Sequence, residues 1–484
     1  MNIHIKNILF ILFVMSKVTL FSQEQLGLRL ENYAGANGTT LNPTHSADYP
    51  LSWSLNLAGL GFFADNYYGY ISNSKVSSLI KNEKAVELGP LIKGNRTTGY
   101  PYADFYTGKR PAYVFVNTII NGPAFSLKLG TNHTFGLFYN YRFAGSAAHI
   151  PANLRYYILE AKDYNQFFDI EKFGGAAMSW SEIGVNYAYK GETNNGFFQI
   201  GANIKYLTGN EGFFAKSNEV FKTARLYGDS LKINLPSISY GFTNANFDNV
   251  KNGTYKLQNL GHGLGIDLGF SYLIENNDYD DYELKLSASV LDIGSVKFTQ
   301  NTEEHLLVFP NTRVLDVRAF EKINSPETAP KLLSYQLNGD SLKTLVDNNF
   351  SIGLPTALCL QADYQFFPHA FANATLIQRV PYQTVGIRRG NLLAVSARYE
   401  HRWFSVCLPI QLYEYQRVRL GFAARLACLT FGTDYVGSFL RKGNFTGSDF
   451  YFAIKLNPLG LNLDTSHWFE GFGKRGKKVD CYKF

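Results

Sequence analysis

Several patterns in this 484-residue chain carry the residue types of chemistry, and their spacing decides which chemistry is available. Gly261, Gly263 and Gly265 suggest a phosphate-cradling loop. A dinucleotide fingerprint, however, needs glycines at positions one, three and six in a turn between a buried strand and a helix. Here the glycines recur every second residue, which is a strand's period, and they read as thinning one face so that another segment can pack against it. The run Asn276 to Asp281 offers the oxygen ligands of a calcium site, yet these are also the residues that a tight turn selects for backbone reasons, and the turn is the expectation. The nine histidines include no pair four apart with a glutamate between, and no serine lies in a Gly-x-Ser-x-Gly elbow. No nucleophile is paired with a base, so no catalytic residue, metal or cofactor is expected. Cysteines 359, 407, 428 and 481 lack metal-like spacing. Export would permit a disulfide, and alternation puts Cys359 and Cys407 on the same face; isolated small core residues are the expected outcome.

A second set of residues is charged. Arg398, Arg417, Arg419, Arg425 and Lys455 alternate along the last strands, with Glu400, Asp267 and Asp363 in equivalent positions. A charge facing lipid at mid-bilayer costs about 2–4 kcal/mol, so all of these are assigned to the interior of a barrel. There they would form an anion-attracting path, a set of ion pairs holding a plug, or a solvated salt-bridge ladder bracing the wall; the ladder is the expectation.

The elements that must position them are strands. Apolar and polar residues alternate in segments of about ten, and the connections alternate short and long, which describes a transmembrane antiparallel outer-membrane β-barrel. Between Ser351 and Phe367, Ile352, Leu354, Thr356, Leu358, Leu360, Ala362, Tyr364 and Phe366 form a lipid face, opposite Ser351, Gly353, Cys359, Gln361, Asp363 and Gln365. The strands read as 51–63, 112–129, 134–143, 176–190, 197–207, 261–274, 282–298, 350–367, 370–381, 391–401, 403–413, 416–431, 433–440 and 448–457, about fourteen in all. A phase change at Leu291, Asp292 and Ile293 marks a bulge. Long insertions follow the first, third, fifth and seventh strands, with a helical stretch expected over Pro151 to Phe173, and links after residue 350 are short. If the chain enters from the periplasm, every long insertion falls outside the cell.

The termini fit that location. His4 and Lys6 precede the apolar run Ile8 to Met15, so residues 1–22 read as a secretory signal. Lys17 interrupts that run too early for a membrane anchor. Residues 23–50 then form a periplasmic or plug segment, 51–457 the barrel and 458–484 a periplasmic tail. The chain is 45% hydrophobic and 15% aromatic, with 32 Tyr and 39 Phe, which suits an aromatic-girdled barrel. Net charge is +7, too mild and dispersed for nucleic acid.

The segment Tyr33-Ala34-Gly35-Ala36-Asn37-Gly38-Thr39-Thr40-Leu41-Asn42-Pro43-Thr44-His45-Ser46-Ala47-Asp48 is the most specific motif. Proline fixes the turn and the asparagine side chain can bond nearby amides, while small residues let the segment thread close to a wall; Asn37, Asn42, Pro43 and Asp48 are its candidate site residues. This Asn-Pro box before strand one, with fourteen strands, resembles the fold of the fatty-acid transporter FadL and of PorV, the shuttle barrel of type IX secretion. The stretches 263–269, 289–296, 431–434 and 448–452 are similar to an uncharacterised Bacteroidota family of outer-membrane barrels. The resemblance implies a location in outer-membrane lipid and no ligand residues. The tail ends in Cys481-Tyr482-Lys483-Phe484, where Tyr482 and Phe484 look like the recognition signal of barrel assembly. Two functions follow. One is passage of a hydrophobic or amphipathic molecule, with 24–50 as plug and the aromatic insertions near Phe105, Tyr156, Phe213 and Phe309 as lining. The other is attachment, an accessory barrel whose ordered external cap docks protein partners or a larger secretion or assembly machine.

Overall fold

The computed structural model describes residues 24–81, 87–88, 101–108, 110–228, 230–234, 236–246, 254–275, 282–308, 311–322 and 328–456. The expected signal, the tail with Tyr482 and Phe484, Cys481, the acidic turn and Phe309 lie outside the described residues.

Fourteen antiparallel strands close into a barrel. They are β1 (Trp53–Asn66), β2 (Ala112–Leu129), β3 (His133–Ile150), β4 (Gly174–Thr193), β5 (Gly196–Ser217), β6 (Gly261–Glu275) and β7 (Tyr282–Phe298). The ring continues with β8 (Phe350–Gly353 and Ala357–Phe367), β9 (Ala370–Arg379), β10 (Leu392–Glu400) and β11 (Phe404–Tyr413). It ends with β12 (Arg417–Leu420 and Phe422–Leu426), β13 (Leu429–Thr433) and β14 (Gly447–Leu456). β1 pairs with both β2 and β14, so the ring has no edge and the backbone is satisfied without water.

The two faces separate by polarity. Phe125, Leu137, Val185, Ile204 and Ile266 are direct cross-strand neighbours on β2 to β6, and each is 37–61% exposed. An apolar row of this kind around a closed wall is a lipid-facing band. One residue along, Ser126, Asn186, Asn203 and Asp267 turn inward and are buried. Among the described residues no helix is long and apolar enough to span a membrane.

β2 to β5 run for 18 to 22 residues, roughly twice the 9–11 that crossing needs. The surplus projects outward and meets the long connections, which knit into two four-stranded sheets. One joins Phe168–Ile170, Phe221–Leu226, Ser230–Asn234 and Arg313–Asp316; the other joins Gly69–Ser74, Glu87–Leu88, Tyr102–Phe105 and Gly443–Phe445.

Several expectations are corrected. Residues 416–431 are not one strand: Ala427 takes φ +52° and turns the chain, so β12 and β13 are separate. Residues 433–440 end in the helical turn Gly437–Leu440 rather than a strand, and the count stays at fourteen because the two differences cancel. Within 151–173 only Ala152–Leu154 and Tyr156–Glu160 are helical, and Phe168–Ile170 is drawn into the cap sheet by Phe221–Thr223. β8 breaks at Leu354–Thr356, where Pro355 has no N–H to give the ladder, and Ile352 and Leu354 turn inward and are buried rather than facing lipid. By contrast, Cys359 and Cys407 are buried free thiols, the isolated core residues expected of them, and Cys428 is a partly buried free thiol.

The bulge lies where the phase change places it: Ile266 faces Ile293 and Leu268 faces Val290, with Asp292 at φ +55°. Two residues on, Gly294 takes φ +146°, and a Cβ there would sit 2.0 Å from the Leu264 carbonyl oxygen. Gly294→Val is therefore expected to destabilise the barrel by about 2 kcal/mol or more. Loss of the compact, heat-modifiable gel band at a lower temperature than wild type is the readout; an unchanged transition would contradict the strained-bulge assignment.

Candidate functional site

The lumen is filled by the chain's own N-terminal segment. Leu26–Arg29 forms one helical turn, Asn32–Thr40 a kinked 3-10 stretch and His45–Asp48 a second turn, all threaded inside the wall and almost wholly buried. Proline explains the sharp corner: Asn42 Oδ1 accepts from the Thr44 N–H at 3.0 Å and from Thr44 Oγ1 at 2.9 Å, closing the chain around Pro43. The corner is then seated on the wall. Thr44 Oγ1 lies 2.6 Å from Ser271 Oγ, and Asn186 Nδ2 donates to the Pro43 carbonyl at 3.0 Å. Asn37 Nδ2 donates to Asn56 Oδ1 at 3.1 Å.

Small residues on the wall make this approach possible. A Cβ on Gly269 would come 2.2 Å from Asn42 Oδ1, and one on Gly201 would come 2.7 Å from the Pro43 backbone. The plug's close approach thus falls on Gly269 and not on the three glycines that suggested a thinned wall; a Cβ on Gly265 would meet Leu354 Cδ1 at 3.0 Å. Gly261 and Gly263 are different, because a Cβ on either would strike backbone of β7 rather than the plug.

Charge fixes the segment at three points. Glu31 accepts from Arg425 Nε at 2.8 Å, Lys455 Nζ at 3.0 Å and Ser405 Oγ at 2.7 Å. Asp48 pairs with Lys285 and accepts from Gln199 Nε2 at 2.6 Å. Glu24 accepts Arg389 Nε at 2.8 Å and Nη2 in a two-pronged pair. Burial would raise the Glu31 carboxyl, but Lys455 and Arg425 hold it at about 2. Burial, reinforced by Lys285, pulls the His45 imidazole down to about 4, and its Nε2 lies 2.9 Å from the Glu31 carbonyl oxygen.

The charges assigned inward from sequence all sit in this lining. Asp363, Arg398 and Glu400 form one cluster, completed by Tyr282, and Glu400 also accepts the Asn32 N–H at 3.0 Å. Arg417 and Arg419 meet on Asp65. Arg425 and Lys455 take Glu31, and Asp267 takes Lys205 at 2.7 Å. The solvated ladder is corrected: apart from Arg417, whose side chain is 20% exposed, these groups are buried, and three of them hold the plug directly.

Sequence reading missed the centre of the network. Asp292, aimed inward by its bulge, takes Arg142 through Nη1 at 2.8 Å and Nη2 at 3.1 Å, and Lys205 at 2.7 Å. Glu182 lies 3.5 Å from Arg142. Arg142, Glu182 and Lys205 occupy mid-strand positions beside lipid-facing residues, and the cost of a lipid-facing charge would have identified them. Arg389 carried no such signal, because it lies in a connection. That connection, 380–391, is corrected from a short link to a strap across the outer mouth. Its Arg388 N–H donates to Ser146 Oγ at 2.7 Å, its Val385 and Ile387 bond to Gly353, and Ile387 packs with Ala144, Trp180 and Phe214.

Between strap, plug and wall remains a central cavity with space for water-sized molecules of about 40 Å³, roughly three waters. Arg29, Arg142, Lys205, Asp267, Asp292, Arg388 and Arg389 line it. Burial pulls the Arg29 guanidinium down to about 10, against the opposing pull of Glu24.

A second space lies outside the lumen. A cleft of about 460 Å³ opens at the outer rim between the ends of β3, β4 and β5, the strand Ser237–Thr243 and the helix Thr328–Asn338. Phe143, Phe213, Tyr240, Phe242, Phe320 and Leu333 are among its apolar lining residues, with Ser179, Glu211 and Thr243 as polar members. Glu211 accepts from Thr243 Oγ1 at 2.5 Å and Asn246 Nδ2 at 2.6 Å. Phe105 and Tyr156 lie elsewhere, with ring centroids 5.0 Å apart in the other cap cluster.

A family profile described as "Family of unknown function (DUF5723)" matches residues 47–434. No curated protein matches the chain. Among solved structures, a TodX mutant described as a monoaromatic hydrocarbon channel shares 11% identity over 87% of this chain and 94% of that one, with a TM-score of 0.41. The Ralstonia pickettii toluene transporter TbuX shares 9% over 87% and 93%, with a TM-score of 0.30. A Pseudomonas aeruginosa FadL homologue shares 9% over 90% and 98%, with a TM-score of 0.23.

The filled lumen predicts almost no steady conductance in planar bilayers at neutral pH. His45 sits below its ordinary 6.5, so its stabilising contribution is complete above that value and falls away as pH drops from 6.5 toward 4. Glu31 acts in the same direction from 4.5 toward 2. Openings are expected to appear as pH falls through the His45 window, and His45→Asn is expected to remove that pH dependence. A large conductance at neutral pH would contradict closure.

Proposed function

The chain belongs to the DUF5723 family, and we propose that it is an outer-membrane barrel, closed at rest, that captures apolar or amphipathic small molecules at its extracellular rim and passes them when strap and plug yield. The observation that carries this reading is the rim cleft. Its volume of about 460 Å³ falls in the range of ligand sites, roughly 300–1,000 Å³, and its mostly apolar lining, with five aromatic residues and three polar groups, is their usual chemistry. A closed lumen below it gives a captured molecule no free path inward. Passage therefore requires rearrangement of the strap 380–391 and of the plug, which meet at the Glu24 and Arg389 pair. In this reading residues 1–22 direct export, while Tyr482 and Phe484 serve recognition by barrel assembly.

A second reading, an accessory barrel in a secretion or assembly complex, is favoured by the cap. Three connections contribute to one sheet, and its edge strand Arg313–Asp316 keeps Val314 half exposed, with Gln336 capping the Asp316 backbone at one end of that edge. Such an edge is a place for a partner's strand.

Native mass spectrometry of the protein from outer membranes in mild detergent separates the two. Retained acyl or aromatic molecules without protein support capture; stoichiometric protein partners support the accessory role and contradict passage as the primary function. Phe213→Ala, which removes an aromatic anchor of the cleft, is expected to weaken binding of a fluorescent apolar probe by about tenfold. Unchanged binding would remove the cleft as the capture site.

A further inference from the structure

The central cavity holds a charge without a partner. Arg29 is 96% buried, as its 4% exposure shows, and it lines the cavity. Among the described residues no carboxylate accepts from its guanidinium. The nearby acids are committed elsewhere: both Glu24 oxygens are taken by Arg389, Asp267 by Lys205 and Asn203, and Asp292 by Arg142 and Lys205. Arginine does not discharge by losing its proton in a protein, so burial leaves five N–H donors and a full charge to be satisfied.

The other charged groups of the cavity have partners or meet solvent. Arg29, Arg142, Lys205, Arg388 and Arg389 line it, against Glu182, Asp267 and Asp292, with Glu24 behind Arg389. Arg388 is only half-buried and solvent screens it; among the described residues, Arg29 alone of the four other cations has no carboxylate bound to it. The free space, roughly three waters, admits a small ion and excludes an organic anion with a tail.

We propose that this cavity binds one small monovalent anion, a halide under physiological conditions, on the Arg29 guanidinium. The site joins three independent parts of the fold: Arg29 from the plug, Arg388 and Arg389 from the strap, and Arg142 from the wall. Bound there, the anion accepts from the Arg29 guanidinium and ties plug to strap, so closure of the lumen becomes dependent on halide. The inference rests on the closed lumen and is independent of what the rim cleft captures.

The direct test is anomalous diffraction from crystals of the full mature protein grown in sodium bromide. An anomalous peak within hydrogen-bond distance of Arg29 supports the site; ordered water alone at that position overturns it. In solution, thermal unfolding in detergent is followed as chloride replaces gluconate at fixed ionic strength. Wild type is expected to gain about 2 °C or more across roughly a hundredfold range of chloride. Arg29→Gln is expected to lose that dependence, and Arg29→Lys, which keeps the charge, to retain part of it. Should neither variant fold, the wild-type bromide peak still decides. Equal stability of wild type in chloride and gluconate overturns the proposal. So does an organic carboxylate that co-purifies, appears as density on Arg29 and resists bromide exchange, since the occupant would then be an amphiphile's head group.

Discussion

A barrel wall built for lipid must turn every charge inward, and inward there is little water here. Everything else in the structure follows from how those charges are matched. β12 and β14 bring Arg425 and Lys455 to one place, where Glu31 of the N-terminal segment pairs with both. Removing one member of a buried ionic cluster leaves the others stranded, at about 3–5 kcal/mol, so the plug is a structural complement of the wall rather than a loose stopper.

The same logic links the two ends of the lumen. The strap 380–391 covers the outer mouth through Ile387 and sends Arg389 down to Glu24 and toward Asp292, 3.7 Å away. Plug and strap therefore share counter-charges, and displacement of either leaves a buried arginine or glutamate for the other to answer. Closure from both sides is one cooperative unit in this account, and opening is a rearrangement of pairs rather than the swing of a single gate.

Much of this was legible in the sequence where one residue determines one outcome. Alternation marked the lipid face because a strand has only two faces, and the bulge at Asp292 showed as a lost beat. The Asn42-Pro43 corner was legible because proline restricts the chain locally. What was not legible depended on meetings distant in sequence. Glu31 and Lys455 are 424 residues apart, and nothing in either neighbourhood names the other. The break in β8 was hidden because Ile352 and Leu354 keep the apolar rhythm while Pro355 changes which side it faces. The strap read as a link since twelve mixed residues carry no period, and the division of 416–431 rests on Ala427 in a left-handed turn that its side chain does not advertise.

The central claim is that residues 24–48 are an integral, ion-paired part of the barrel. Hydrogen–deuterium exchange of the intact protein in detergent tests it most directly. The account predicts that amides across Leu26 to Ala47 are protected over hours, on the same scale as those of β2 to β5. Exchange of that segment within seconds, while the strands stay protected, would show a wall that stands without its plug and would contradict the account.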